Sequence, residues 1–359
     1  MQKITAIILA GGQGTRMKSP LPKVLHPVAG MPMISKIISN CQRAEFDEIR
    51  LVVGHGQSLV KNVVDPMGVQ TFVQKDQLGT ADAVKSAQVD SIEGDVVILN
   101  GDHPLITVDD LKHFISDFRE QKLDLAVVSV ELDHPGEFGR IIRQSGQLRA
   151  IVEAKDAGPD ALKIKEVNTG IYVVKADVLK KYLPLIKNNN SKKEFYLTDL
   201  ISLAIESQLR VQALCSKNKN VAHGVNNQIE LAAATRLVYQ MKSAQLLNSG
   251  VIIIDPTNTY IEDTVVVGSG TVIYPGVFIR GKTAVGPFCV IEPNAFISDS
   301  VIDEAVQIRA GSYLEQAIVH SHAKIGPYAR LRPDTEIGES AQIGNFVELK
   351  KVKFGKKSK

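Results

Sequence analysis

The chain leaves an apolar run, Ala6-Ile7-Ile8-Leu9-Ala10, directly into Gly11-Gly12-Gln13-Gly14-Thr15-Arg16. Glycines let backbone N–H groups approach a phosphate or a base closely, and a turn converges those donors on an anion. The glycines alone fit a tight turn as readily as a phosphate cradle. No Gly-Lys-Ser/Thr follows at the spacing of a Walker A loop, and Met17 stands where a dinucleotide fingerprint carries its last glycine. Two cations tip the balance. Arg16 follows the glycines, and Lys23 closes Ser19-Pro20-Leu21-Pro22-Lys23, where two prolines stiffen the chain. Cations held beside a glycine turn suit a polyphosphate. A second signal is Val96-Val97-Ile98-Leu99-Asn100-Gly101-Asp102-His103-Pro104-Leu105. A carboxylate at the carboxyl end of a buried strand is placed to hold Mg²⁺, which prefers hard oxygen ligands and keeps its substrate phosphates. A capping or turn aspartate is the ordinary alternative. His320-x-His322 lacks a third ligand and reads as turn or surface histidines.

Those residues need a frame. Apolar runs predict strands at 5–10, 48–53, 70–73, 95–99, 125–130, 170–174 and 210–213, with helices between them, including 33–43 and 81–91. Continuous aliphatic strands such as Val96–Leu99 are buried on both faces, as in a mostly parallel sheet covered by helices. Ligands of such sheets bind at the carboxyl ends of the strands. Residues 228–248 contain neither Gly nor Pro, and one long helix ended by Gly250 is expected there. Beyond Gly250 aliphatic residues recur every six positions from Ile261 to Ile297, then from Ile302 to Leu314, then from Val319 to Leu349, with two five-residue steps between the runs. Such a hexapeptide period predicts a parallel β-helix of about five coils, where ordinary antiparallel strands would alternate with period two.

Length and composition set the outer bounds. A chain of 359 residues at about 150 per domain predicts two domains. No run approaches the roughly 18 apolar residues of a bilayer span, and the first strand is too short for a secretory leader. Three scattered cysteines, Cys41, Cys215 and Cys289, fit a reducing cytoplasm. The net charge of +3 is produced by six lysines in the last ten residues; the rest carries 36 basic against 39 acidic residues. A nearly neutral body gives no support for nucleic-acid binding.

Eight motifs carry a family resemblance over essentially the whole chain. They are Leu9–Arg16 with Lys23, Gln74-x-x-Gln77-Leu78-Gly79-Thr80, Asn100–Leu105, Phe138-Gly139-Arg140, Ile151–Asp156, Asn168-Thr169-Gly170, Gly224-Val225-Asn226-Asn227 and the hexapeptide array. In this order they resemble the bacterial bifunctional GlmU family, an N-acetylglucosamine-1-phosphate uridylyltransferase joined to a glucosamine-1-phosphate N-acetyltransferase. The resemblance implies a Rossmann-like, GT-A-like α/β mixed-sheet domain over 1–227, a linking helix over 228–250 and a left-handed β-helix over 251–359. It implies that Leu9, Ala10, Gly11 and Gly12, with Gln74, Gly79 and Thr80, hold uracil and ribose. Arg16 and Lys23 would neutralise the triphosphate as catalytic cations. Gly139, Glu153, Asn168 and Asn226 would line the sugar site, Asp102 and Asn226 would hold Mg²⁺, and Asn100 and Gly101 would border the substrates. Asn100 stands where the family often carries Tyr, a departure that touches substrate packing. UTP and N-acetylglucosamine 1-phosphate would be the substrates, and a cytoplasmic homotrimer packed along the β-helix the assembly, in service of peptidoglycan and lipopolysaccharide precursors.

In the resembled family the β-helix continues for about a hundred more residues that hold the catalytic histidine and most acetyl-CoA contacts. Here Arg332 and Lys350 match the start of that second site, with an expected role in binding sugar phosphate, and acetyl transfer is expected to be absent or negligible. Two rival readings stand beside this one: another hexose-1-phosphate nucleotidyltransferase, and a non-catalytic trimeric scaffold. Retention of Arg16, Lys23, Asp102 and Asn226 argues against the scaffold.

Overall fold

The computed structural model describes residues 2–190 and 193–359. Contacts divide the chain into two units, residues 1–26 with 32–234, and residues 27–31 with 235–359.

The first unit is built on a nine-stranded mixed sheet. Its strands are β1 (Ile4–Ala10), β2 (Glu48–Val53), β3 (Gln70–Val73), β4 (Asp95–Asn100), β5 (Leu125–Glu131), β6 (Arg140–Gln144), β7 (Gln147–Val152), β8 (Glu166–Lys175) and β9 (Val211–Cys215). They run in the order β9-β5-β8-β4-β1-β2-β3, with the β6–β7 hairpin attached to β8. β1, β2, β3 and β4 are parallel neighbours, whereas β8 runs antiparallel between β4 and β5. Alternation splits β1 between two cores. Ala6, Ile8 and Ala10 pack with the helices Met33–Arg43 and Val108–Glu120. Ile7 faces the other way, toward the helices Thr80–Ser86, Ala176–Tyr182 and Asp199–Glu206. Each strand therefore needs apolar side chains on both faces, which is why these runs read as continuously hydrophobic.

The predicted strands and the helix over 33–43 lie where the pattern put them, with small shifts at their ends, except that the strand expected over 170–174 begins four residues earlier, at Glu166. The expected helix over 81–91 breaks into Thr80–Ser86 and a 3₁₀ turn at Val89–Ser91, because Gln88 adopts a left-handed conformation. The β6–β7 hairpin did not emerge from periodicity. Its strands are half polar, but Ser145-Gly146 (φ 51° and 81°) is a two-residue turn of the type that a Ser-Gly pair between β-formers signals.

One long helix spans Gln228–Asn248, and Gly250 follows it in the left-handed region (φ 89°) with Val251 N–H returning to the Leu246 carbonyl. The division between units falls inside it, after Ala234.

The second unit is a left-handed parallel β-helix of three six-stranded sheets. Aliphatic side chains stack rung on rung. Ile253, Ile273, Ile291, Ile308, Ile325 and Ile343 form one buried column, and Ile261, Ile279, Ile297, Leu314 and Leu331 belong to a second. The array makes six turns and carries two strands beyond the six-residue count, Ile252–Ile253 at its start and Lys353–Phe354 at its end. Eight residues separate Ile253 from Ile261, because a 3₁₀ turn at Pro256–Asn258 bulges out between them, and this interruption hides the first rung. Residues at the corners, among them Asn294, Asp334 and Ser340, take left-handed backbone conformations.

Candidate active site

The parallel strands end on one edge of the first unit's sheet, and so does the amino end of antiparallel β8. Leu9 is in register with Asn100, while Tyr172 pairs with Ile98, so Asn168 lies beyond the end of β4. These ends enclose a cleft of about 1000 Å³.

The glycine turn forms one wall. Gly14 has φ 62°, and a Cβ there would sit 2.7 Å from Lys23 Cβ, so the turn and the Lys23 segment pack as one piece. Gly11 is closed in by the Gln74 side chain, 2.9 Å from where a Cβ would stand, and its carbonyl accepts from Gln77 Nε2 at 2.9 Å. Gln74 is buried and donates to the Gly79 carbonyl (3.1 Å) and to Asp82 (2.7 Å). Gly79 (φ 117°) faces the Phe195 backbone, and Thr80 Oγ1 accepts from Leu197 N–H at 3.0 Å.

At the floor, charge converges. Lys23 Nζ donates to Asp102 Oδ2 and, at 3.3 Å, to Asn226 Oδ1; Arg16 Nη2 donates to the same Asn226 oxygen at 2.9 Å. Lys23 and Asp102 are each less than one-fifth exposed, so this pair is shielded from the screening that weakens surface ion pairs. Burial opposes ionisation of Asp102, but His103 and the Lys23 ammonium outweigh it and hold the carboxyl below its ordinary value. His103 is itself pushed down by burial, with Nδ1 3.1 Å from the Val221 carbonyl and Nε2 3.7 Å from Asp102. The Asn226 loop is fastened to this point by Val225 N–H, which donates to the Asp102 carbonyl at 2.9 Å.

The opposite wall is made by β8 and the β6–β7 hairpin. Asn168 N–H donates to the Gly139 carbonyl at 2.8 Å, and its Nδ2 donates to the Tyr172 hydroxyl at 3.3 Å, at a bulge in β8. The Tyr172 phenol is pushed up by burial and stays neutral. A Cβ on Gly139 would lie 3.6 Å from Glu153 Oε1, which places that carboxylate across the hairpin. Gly170 (φ 77°) makes room for Asn100, whose Nδ2 is 2.7 Å from the position a Cβ would take.

The structure thus brings together Leu9, Ala10, Gly11, Gly12, Arg16 and Lys23, then Gln74, Gly79, Thr80, Asn100 and Asp102, then Gly139, Glu153, Asn168 and Asn226 around one cleft. Gly101 lies behind the wall. Its N–H donates to the Leu9 carbonyl at 2.8 Å, and a Cβ would press on Leu9 and Ile34. Arg332 and Lys350 belong to the second unit, where Arg332 pairs with Glu348 at 3.2 Å and Lys350 is exposed. Among the cleft-lining residues to which the sequence pattern assigned no role are His103, Glu137, Tyr172, Tyr196 and Glu230. For Glu230 a signal existed, since Asn227-x-x-Glu230 at the start of a helix has the form of a capping box.

Two domain families match the chain: the MobA-like NTP transferase domain over residues 6–163 and the GMPPB C-terminal domain over residues 256–355. The chain is 62% identical over 356 residues to the Bifunctional protein GlmU of Bdellovibrio bacteriovorus, an alignment covering 99% of this chain and 78% of that one. It is 40% identical over 358 residues to the protein of the same name from Trichlorobacter lovleyi, with the same coverage. Among solved structures, a Bacillus anthracis protein named as a glucose-1-phosphate thymidylyltransferase, crystallised with sucrose, superposes with a TM-score of 0.54 over 65% of this chain and 94% of its own. At 23% identity that likeness speaks to the fold alone. With the nucleotidyltransferase domain matched and a relative this similar along nearly the entire chain, the protein belongs to the bifunctional GlmU family.

Proposed function

We propose that the protein transfers UMP from UTP to N-acetylglucosamine 1-phosphate, yielding UDP-N-acetylglucosamine and pyrophosphate. The observation that carries this reading is the convergence of Arg16, Lys23, Asp102 and Asn226 at the floor of a cleft walled by a glycine turn on one side and a polar strand on the other. The sugar phosphate is already an anion at neutral pH, so an oxygen of its phosphate attacks the α-phosphorus of UTP without a general base. The bond from the α-phosphorus to the bridging oxygen breaks, and pyrophosphate leaves with the electron pair. Catalysis of such a step is positioning and charge stabilisation.

Arg16 and Lys23 supply fixed positive charge to the triphosphate. The Gly11–Gly14 turn and the Gln74 and Gly79-Thr80 segments receive the nucleoside, and Gly139, Glu153 and Asn168 receive the sugar. Tyr196, whose phenol is held neutral by burial and by neighbouring carboxylates including Glu194 and Glu153, adds a hydrogen-bonding edge at the sugar end.

We read the metal as Mg²⁺, held by Asp102 and Asn226. The donor set fits: two hard oxygens already meet one cationic atom, Lys23 Nζ, and Mg²⁺ needs few protein ligands when phosphates complete its shell. When bound, the ion neutralises and orients the reacting phosphate oxygens.

A homotrimer packed along the β-helix is the assembly we favour. Val266, Val301 and Ile318 stand exposed on one outer face, with Ala284 on the rung between the first two, an aliphatic column suited to burial between subunits. A cytoplasmic setting accords with three unpaired cysteines; among the described residues no helix is long and apolar enough to cross a membrane.

The deciding assay is pyrophosphate release from UTP with N-acetylglucosamine 1-phosphate supplied or withheld. Release that requires the sugar phosphate and Mg²⁺ is expected. Preference for dTTP or GTP, or for glucose or mannose 1-phosphate, would move the protein to another nucleotidyltransferase specificity, and no release at all would leave the scaffold reading.

A further inference from the structure

Asn226 is pulled from two sides. Its Oδ1 accepts from Arg16 Nη2 at 2.9 Å and Lys23 Nζ at 3.3 Å. Its Nδ2 and its backbone N–H both donate to Glu230 Oε2, at 3.2 and 2.7 Å. The other Glu230 oxygen accepts from Asn227 Nδ2 at 2.6 Å, and Glu230 N–H donates to Asn227 Oδ1 at 2.9 Å. In an ordinary capping box the glutamate three residues into the helix returns to the backbone N–H of the cap residue itself. Here Asn227 is that cap residue, and the carboxylate reaches one residue further back, onto Asn226.

An asparagine side chain presents an oxygen or an NH₂ to the same place depending on a half-turn about its last bond. With Glu230 in position only one orientation is consistent. The reverse would set the amide oxygen against the Glu230 carboxylate and the NH₂ against a guanidinium and an ammonium. A carboxylate can do this with both oxygens. An amide in its place would turn a donor onto either Asn226 or Asn227.

We infer that Glu230 is a positioning residue for metal binding: it locks the amide of Asn226 so that Oδ1, and never Nδ2, faces the cation at Asp102. This rests on the reading of Asp102 and Asn226 as the Mg²⁺ ligands. Partners that orient metal ligands typically change affinity by about 10- to 100-fold when removed. Asn226→Asp offers two equivalent oxygens, so a locked orientation is superfluous in that background.

The test is Mn²⁺ binding to the full chain in excess UTP, read from the electron paramagnetic resonance of the ion against a protein-free Mn²⁺–UTP blank. Glu230→Ala is expected to weaken binding by about 10-fold or more, and Asn226→Asp/Glu230→Ala to recover most of that loss. A pure capping role would lower the melting temperature while leaving Mn²⁺ affinity at the parent value, and that result overturns the inference. A double variant no better than Glu230→Ala also overturns it. If Glu230→Ala does not fold, Glu230→Gln carries the test with about 10-fold weaker binding expected, and parent-like affinity again sinks the idea. A parent protein that binds no Mn²⁺ beyond the blank refutes the metal-site reading and this inference with it, whereas a binding parent with unchanged variants refutes the inference alone.

Discussion

Two of the cleft's charged side chains face each other before any phosphate enters: the Lys23 ammonium rests on the Asp102 carboxylate, and Arg16 leans on Asn226. Under the proposed function these are the groups that the transferring phosphates would meet. Arg16→Ala and Asp102→Ala are expected to lower kcat/KM for UTP by about 100- to 1000-fold, the usual scale for losing one charge-stabilising group. Circular dichroism should show both variants folded, since neither side chain belongs to a hydrophobic core. Wild-type-like rates from either would end the assignment of roles. These residues were legible in sequence because the chemistry demands unusual types at fixed distances: glycines, then two cations, then a carboxylate closing a buried strand. Glu230 and His103 were not, since what they do depends on the side chains they touch. Arg140 shows the same limit. It is buried and donates to the carbonyls of Gly136 and Phe138, holding the loop that delivers Gly139, a task that its place in the Phe138-Gly139-Arg140 motif does not reveal.

Strand β8 decides what the elements can deliver. Periodicity located it without its direction, because an antiparallel strand inside a mostly parallel sheet is buried on both faces like its neighbours. Its carboxyl end is tied at the edge away from the cleft. Asp124, just before β5, accepts from Lys175 Nζ at the end of β8 (2.7 Å) and from Arg210 N–H just before β9 (2.9 Å), so one carboxylate joins three strand ends. Burial opposes its charge, but the Lys175 and Arg210 hydrogen bonds prevail and lower its pKa from 3.8 to about 2. A depressed folded-state pKa stabilises the protein above the unfolded value, and that contribution is lost as pH falls through the folded one. Asp124→Asn should accordingly lower the melting temperature at pH 7, with the deficit shrinking between pH 4 and pH 2. A deficit independent of pH over that window would show that the ion pairs contribute nothing.

Over the whole molecule, two kinds of periodicity coexist in one chain. The β-helix was the most legible part, because a six-residue repeat aligns an aliphatic residue with its counterpart one turn on, and the rungs missed were the two at its ends: Ile253, offset by the Pro256–Asn258 turn, and Phe354, an aromatic where the pattern carries aliphatic residues. The first unit's core has no such regularity, and its hairpin announces itself only through Ser145-Gly146. The exposed column on the β-helix makes the assembly testable. Ile318→Glu, at the middle of one outer face, should shift the species seen by sedimentation velocity from trimer to monomer while circular dichroism remains unchanged. A monomeric parent would refute the trimer outright.

The opposed direction of β8 has one more consequence. Under the proposed function, donor recognition would draw on the tips of β1, β3 and β4, and acceptor recognition on the start of β8 and the hairpin beside it. The two tasks are thus written in separate stretches of chain that meet only in space. A lineage can lengthen or recast residues 136–168 to admit a different sugar and inherit the nucleotide-handling machinery untouched, which makes the cleft modular with respect to descent.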